Sequence, residues 1–213
     1  MKERPILFSA PMVRAILEGK KTVTRRVIKR QPPSELNDGR WYPDRYNGGP
    51  QWCWWGKPGT DVAGKVAHHI GQACPYGQPG DRLWVRETWA DWEQGTCYRA
   101  DGTWSDGRQT GHPDVPSEID RLKLWKPSIH MKRVDSRINL EITSIVPQRL
   151  QEMMHKDALA EGVSYDVSKP DGSPMNRFIQ LWDTINGKGA WLANPWVWAV
   201  SFERIKDREP GWI

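Results

Sequence analysis

Six short segments of the chain either alternate apolar with polar residues or concentrate β-branched and aromatic residues. The clearest is 137–146, where Ile138, Leu140 and Ile142 are apolar and the residues between them are polar. A period of two is typical of a half-buried strand, and β-branched and aromatic residues favour extended structure. Strands are therefore predicted at 5–9, 22–28, 82–89, 98–104, 137–146 and 196–202, with 98–104 forming a hairpin around its Asp-Gly pair.

Helical signals appear in three places. Ser9 can cap a helix whose first turn accepts Pro11, and Gly19 can end it. A second helix is predicted from about 148 to 161. A third is predicted over 178–185, where apolar residues recur at i, i+3, i+4 and i+7 and an Asn-Gly pair follows.

Two long stretches, at about 29–79 and 105–124, lose this periodicity and are rich in Gly, Pro, Asn and Asp. We interpret both as insertions in a single domain spanning 1–213, because neither contains a periodic segment long enough for its own core. Strands dominate, and two of the predicted helices lie between the last two strands. This order predicts an α+β fold, a small and mainly antiparallel β-barrel with helices packed on its outside.

Positive charge is concentrated near the N-terminus. Residues 1–30 hold nine Lys or Arg against Glu3 and Glu18, a balance of +7, while the whole chain carries +5. The rest of the chain is therefore slightly acidic. This distribution indicates a focused site for an anion, although a solvated basic face would give the same pattern.

Tryptophan is unusually frequent, with fourteen in the chain. Six of them, in or at the edge of the predicted loops and insertions, have three interpretations: anchoring irregular segments by packing, stacking on nucleic-acid bases, or contacting a host protein. The six are Trp52, Trp54, Trp55, Trp89, Trp92 and Trp104.

The remaining composition argues for a cytoplasmic protein without a cofactor. No stretch of 18 apolar residues or secretory signal is present, and three cysteines do not form a disulfide framework. The order Cys53, His68, His69, Cys74 lacks the close ligand pairs of common zinc sites, so no metal is expected. Phosphate-binding loops and nucleotide-cofactor fingerprints are also absent from the sequence.

One segment carries a family resemblance. Gly19–Arg26 reads Gly-Lys-Lys-Thr-Val-Thr-Arg-Arg and resembles the Gly-x-Lys-Thr-x-Thr-x-Arg signature of ASCH domains, which belong to the PUA-like superfamily. Downstream segments resemble that family in the same order, including Gly80–Arg86 and Asp157–Gly162. The segment Trp125–Met131 is similar to one found in a prophage-associated branch of the family.

The resemblance implies a nucleoside or RNA as the partner, and the lack of a long apolar stretch predicts no membrane association. One ASCH enzyme, similar at the motif, is an amidohydrolase that removes acyl groups from the exocyclic nitrogen of cytidine, and another is a ribonuclease. Carried over by position, the amidohydrolase's catalytic residues fall on Lys21, Thr24 and Glu161. Further residues expected to bind substrate or nucleic acid are Lys20, Arg25, Arg26, Arg86, Lys126, Ser128 and His130.

The chemistry of this trio sets a geometric condition. A threonine hydroxyl becomes a nucleophile when a base removes its proton, and a lysine can be that base when burial or nearby cations lower its pKa. Lys21 and Thr24 would face opposite sides of one uninterrupted strand. They can converge only if Lys21 still belongs to the helix exit. The alternative to catalysis is a module that binds RNA or a modified base without turnover.

Overall fold

The computed structural model describes residues 1–32, 40–43, 51–55, 70–92, 95–102, 104–105, 108–109, 119, 123–168 and 170–205. Within these residues the strands are β1 (Glu3–Leu7), β2 (Val23–Val27), β3 (Arg40–Pro43), β4 (Gln51–Trp55), β5 (Ile70–Ala73), β6 (Arg82–Arg86), β7 (Trp89–Trp92), β8 (Gly95–Tyr98), β9 (Trp104–Ser105), β10 (Arg108–Gln109), β11 (Asn139–Arg149) and β12 (Trp196–Ile205). The α-helices are α1 (Ala10–Leu17), α2 (His155–Ala160) and α3 (Pro174–Asn186). Short 3₁₀ helices lie at Arg99–Asp101, Ser128–His130, Arg133–Asp135 and Leu150–Glu152.

A five-stranded mixed sheet with the order β1-β6-β11-β12-β2 forms the centre of the fold. β1 is parallel to β6, and the other three pairings are antiparallel. The predicted alternation of β11 is confirmed, since Leu140 and Ile142 are buried and Glu141 is exposed. Ile6, Val13 and Phe202 belong to the main core, which α1 helps to cover.

The expected barrel is wrong, because the sheet is open, with β1 and β2 as its two edges. A side chain spans the two edges instead of main-chain pairing. Nη2 of Arg26 on β2 donates to the main-chain oxygen of Leu7 at 2.6 Å, and its guanidinium lies 5.5 Å from the centre of the Phe8 ring. The α+β composition stands, without closure.

The insertion predicted at 29–79 contains regular structure that the sequence pattern missed. Its described residues include the antiparallel sheet β3-β4-β5, whose strands have only four or five residues each. Trp41 on β3 is buried, and its ring centre lies 6.2 Å from that of Trp196 and 5.9 Å from that of Trp198. Trp41, which is not one of the six tryptophans discussed above, therefore packs this region against the core.

Two predicted elements are displaced in the structure. The hairpin expected at 98–104 is instead formed by β7 and β8, and Asp101 ends a 3₁₀ helix. The helix expected from 148 begins only at His155, because β11 continues to Arg149 in register with β12. Pairing along the long β12 strand therefore overrides the local helical pattern. Across the described ranges, none of the helices combines the length and apolar character of a membrane span.

Candidate functional site

The turn between α1 and β2 places Lys21 at the exit of the helix, which is the position that the geometric condition in the sequence analysis required. Gly19 adopts a left-handed φ of +72°, and the main-chain N–H groups of Lys20 and Lys21 both donate to Ala15 O, at 2.8 and 2.9 Å. Lys21 thus still belongs to the helix exit. Thr22 N–H then donates to Ala160 O at 2.8 Å, and β2 begins at Val23.

Glu161 lies beside the same turn, although it is 140 residues from Lys21 in the sequence. It caps the C-terminus of α2 and forms an isolated antiparallel bridge with Lys21. The next residue, Gly162, has a φ of +85°, and a Cβ built there would lie 2.7 Å from Ala15 Cβ and 3.0 Å from Lys21 Cβ. Glycine therefore permits the close approach that brings Glu161 beside Lys21.

Lys21 and Glu161 form a buried ion pair, with side chains 0% and 5% exposed. Lys21 Nζ donates to Glu161 Oε2 at 2.6 Å, to Glu161 O at 2.9 Å and to Val23 O at 2.8 Å. Three acceptors match the three N–H bonds of an ammonium group. Burial lowers the pKa of Lys21 from its ordinary value and Arg25 and Arg26 act in the same direction, while the Glu161 carboxylate opposes them.

Arg25 extends this network rather than pointing at solvent. Its guanidinium contacts Glu161 Oε1 at 3.2 Å and Asp157 Oδ1 at 3.5 Å, and its side chain is 3% exposed. The Gln148 amide oxygen, in the orientation that its neighbours favour, accepts from Nε and Nη2 of Arg25 at 3.2 Å. Two cations and two carboxylates therefore balance in one cluster, which is buried except for the partly exposed Asp157. We define Lys21, Arg25, Asp157 and Glu161 as the buried charge cluster.

A cavity of about 60 Å³ adjoins this cluster, with room for roughly four waters. On one side it is lined by the buried Thr24 and by Arg25, Arg26, Val27 and Glu161. On the other side α3 contributes mainly apolar residues, among them Phe178 and Trp182. The buried Trp182 Nε1 has no hydrogen-bond partner among the described residues. The cavity thus combines a charged floor with an aromatic wall.

A second cavity of about 370 Å³ lies between α1, α3 and residues 161–164. It shares Met12, Glu161 and Leu181 with the first, so the two adjoin at Glu161. Its lining is more polar and includes Arg14, Lys20 and Arg177. Lys20 is exposed and pairs with Glu18 at 2.7 Å.

The other predicted binding residues are divided between the sheet edge and a separate surface. Arg26 is held by Leu7 O and the Phe8 ring. Arg86 stacks over Trp84 and donates to Ile129 O at 3.2 Å, beside the 3₁₀ helix that carries Ser128 and the exposed His130. Lys126 lies over Trp89 and pairs with Asp91. In the described part of the chain, the linings of the two cavities contain none of four predicted binding residues: Arg86, Lys126, Ser128 and His130.

Sequence reasoning missed Asp157, Gln148 and the aromatic wall. Asp157 precedes Glu161 by four residues, so both lie on one helix face, and this spacing was a usable signal. Of the residues weighed for zinc, His68 and His69 lie outside the described residues, and the thiol of the buried Cys74 has its pKa raised by burial to about 11. Among the described residues, no group of three or more His, Cys, Asp or Glu could hold a metal ion.

Comparison of the chain with protein-family models, curated proteins and solved structures finds no match.

Proposed function

We propose that this protein acts on a nucleoside, most concretely by hydrolysing the amide of an N4-acylated cytidine. One observation carries the proposal: Thr24 and Glu161, the carboxylate of the buried Lys21–Glu161 pair, line one cavity whose opposite wall is aromatic. Nucleobases combine a flat π-face with a polar edge, and proteins hold them between aromatic side chains and hydrogen-bonding groups. The cavity offers both kinds of surface.

The size of the two cavities suggests how a nucleoside divides between them. The small cavity accepts the reacting edge of the base. The sugar occupies the larger, more polar cavity, which joins the first at Glu161. In this arrangement the scissile amide lies between Thr24 and Glu161, two of the three residues to which the resemblance assigns chemistry.

Proton transfer within the buried pair prepares the nucleophile. Lys21 passes a proton to Glu161 across their 2.6 Å contact, giving a neutral amine and a carboxylic acid. Burial favours this neutral form, and it is burial that lowers the Lys21 pKa. The amine then takes the Thr24 hydroxyl proton as the threonine oxygen attacks the acyl carbon.

Cleavage of the amide bond returns Lys21 and Glu161 to their charged forms. The C–N bond to the cytosine ring breaks, and Glu161 donates its proton to the departing nitrogen, so cytidine leaves with its amino group complete. Lys21 is again an ammonium and Glu161 a carboxylate, with the acyl group on Thr24. Water then attacks this ester with the same pair as base and acid. The net reaction consumes one water and yields cytidine and a carboxylic acid.

Single-turnover kinetics on N4-acetylcytidine test this scheme through the buried pair. Lys21→Ala and Glu161→Gln should each slow cytidine release by about 10²–10⁴-fold, the usual contribution of a general acid or base. Lys21→Arg should be equally slow, because a guanidinium does not give up its proton. Circular dichroism checks that each variant is folded. Full activity in Lys21→Arg would rule out lysine as the base.

A second candidate, a module that binds a modified nucleoside without turnover, is favoured by one observation. All three N–H bonds of Lys21 are used within the protein. A purely structural ion pair has this arrangement. Wild-type protein that binds N4-acetylcytidine in calorimetry but leaves it intact over a long incubation would support binding without catalysis.

A further inference from the structure

Main-chain hydrogen bonds from β2 to its neighbour alternate along the strand. This alternation determines which N–H and C=O groups of β2 point towards the small cavity, the one of about 60 Å³. Among the strands that the structure describes, β2 pairs on one side alone, with β12. Ile28 N–H donates to Trp196 O at 3.0 Å, and Phe202 N–H donates to Thr22 O at 2.9 Å. In an antiparallel ladder these hydrogen-bonded pairs alternate with pairs whose main-chain groups turn away.

Arg25 falls on a position that turns away from β12. The register pairs Thr24 with Val200 and Arg25 with Ala199, so Thr24 continues the hydrogen-bonded set and Arg25 does not. The contact made by Val23, two residues earlier, supports this assignment. Its carbonyl oxygen accepts from Lys21 Nζ at 2.8 Å, on the side away from β12. The N–H and C=O of Arg25 therefore point out from the sheet edge.

The edge is covered before Arg25 and is open to the cavity at Arg25. Residues 160–161 cover its start through the bond from Thr22 to Ala160 and the bridge between Lys21 and Glu161. Arg25 and Val27 then line the small cavity. Arg25 as a whole is only 6% exposed, and buried main-chain groups are costly without a partner. A ligand in the cavity supplies that partner.

The Arg25 side chain is not available for this role. Its guanidinium is held by Glu161, Asp157 and Gln148 within the buried charge cluster. The sequence interpretation, in which this arginine binds substrate through its charge, therefore does not fit its contacts. What Arg25 offers to the cavity is a main-chain donor and a main-chain acceptor, side by side.

We propose that the main-chain N–H and C=O of Arg25 hydrogen-bond the Watson–Crick edge of a pyrimidine base. The N–H donates to cytosine N3, and the C=O accepts from the N4 hydrogen, in the same way as two residues pair across a sheet. The inference rests on the proposed function, because it assigns to the small cavity the base that the reaction requires. Phe178 and Trp182 on α3 form the opposite wall.

Calorimetric binding of cytidine to four proteins tests the assignment: wild type, Arg25→Ala, Arg25→Pro and Lys29→Pro. Arg25→Ala removes only the side chain, whereas Arg25→Pro also removes the main-chain donor. Proline is tolerated in edge strands where its nitrogen faces away from the ladder. We expect Arg25→Pro to bind cytidine at least about ten-fold more weakly than Arg25→Ala, the effect of leaving a buried hydrogen-bonding group unpaired. Lys29→Pro, the control, places a proline just after β2 at an exposed residue that lines neither cavity, and it should bind like wild type.

Two methylated ligands give an independent test on unmodified protein. 5-Methylcytidine keeps its Watson–Crick edge and should bind like cytidine, whereas N4,N4-dimethylcytidine has lost the N4 hydrogens and should bind at least about ten-fold more weakly. If wild type binds cytidine but Arg25→Pro matches Arg25→Ala, or the two methylated ligands bind equally, the main-chain assignment is wrong and the proposed function stands. If wild type binds no pyrimidine nucleoside at all, the proposed function fails, and this inference fails with it.

Discussion

At the scale of single residues, the account depends on a lysine and a glutamate that are distant in sequence and almost completely buried together. Taking such charges out of water is expensive, and the remaining partner is left uncompensated when one is removed. Lys21 is 2% exposed, whereas its neighbour Lys20 has a side chain that is 65% exposed and pairs with the exposed Glu18. Two adjacent lysines therefore provide a matched comparison.

Lys21→Met should lower the free energy of unfolding by about 3–5 kcal/mol, because it leaves the Glu161 charge buried with only Arg25 beside it. Lys20→Met should change it by no more than about 0.5 kcal/mol, as expected for an exposed position. Urea denaturation of both variants at neutral pH measures the difference. Similar values for the two would mean that the Lys21–Glu161 pair contributes little to the fold.

The residues of the candidate site were only partly predictable. Lys21, Thr24 and Glu161 were expected together from the resemblance. In the structure Lys21 contacts Glu161, and Thr24 lines the same cavity as Glu161. Arg25 was expected to bind an anion from outside but instead binds Glu161 and Asp157. Charge patterns along a sequence do not specify which cations become buried. The role of Arg25 was therefore beyond sequence reasoning.

At the scale of elements, the hairpin β7–β8 and the 3₁₀ helix after it are fixed to the sheet by Arg137. Its guanidinium binds both oxygens of Glu87, at 3.0 and 3.2 Å, and both oxygens of Asp101, at 2.7 Å each. It also lies 3.9 Å from the centre of the Tyr98 ring. Burial raises the pKa of Glu87, whose side chain is 2% exposed, and Arg137 opposes that rise.

Arg137→Met should destabilise the protein by about 3–5 kcal/mol at neutral pH, because the Glu87 carboxylate stays buried without its cation. Adding Glu87→Gln should recover part of the loss by removing that charge. Arg133→Met is the control, since Arg133 pairs with Glu3 at the surface, and it should cost about 1 kcal/mol or less. Urea denaturation of the variants gives the comparison. An Arg137 effect no larger than that of Arg133 would contradict the assigned role.

Elements with strong local patterns were predicted well. The helix after Ser9 and the strand containing Thr24 occur as expected, as does the helix around Trp182, although the Ser9 side chain makes no capping hydrogen bond. The three short strands of the 29–79 region were missed, because strands of four or five residues show little periodicity. The start of α2 was predicted at about residue 148, too early in the sequence. The first residues of that predicted helix belong to β11 instead, because β11 stays in register with β12 as far as Arg149. Tertiary pairing decided the structure there.

At the scale of the whole molecule, closure of the sheet was the main error of the sequence interpretation. Strand order alone does not say whether the first and last strands of a curled sheet meet. Here they are edges, with the Arg26 side chain between them. The N-terminal edge is held by Asp81, which accepts from Lys2 N–H at 2.7 Å and from Arg4 Nη1 at 3.2 Å.

This attachment predicts a dependence of stability on acid. Hydrogen bonding by the Lys2 N–H, together with Gln78 and Arg4, holds the pKa of the buried Asp81 below its ordinary value. A carboxylate with a lowered folded-state pKa stabilises the protein above its unfolded pKa, and the contribution is lost as the pH falls through the folded value. Asp81→Asn should therefore show a smaller loss of stability than wild type below about pH 4. The free energy of unfolding of both proteins is measured by urea denaturation across the acid range. If it falls equally in wild type and Asp81→Asn, Asp81 is not a cause of the acid dependence.

The central proposal is that Thr24, which lines the same cavity as Glu161, is the nucleophile of a nucleoside amidohydrolase. The most direct measurement is the rate of cytidine release from N4-acetylcytidine by wild type and by Thr24→Ala, followed by chromatography. The account predicts release by the wild type that is at least about 100-fold faster than by the variant, because removing the hydroxyl leaves the acid and base without their nucleophile. Equal rates for the two proteins, or no release by the wild type, would contradict it.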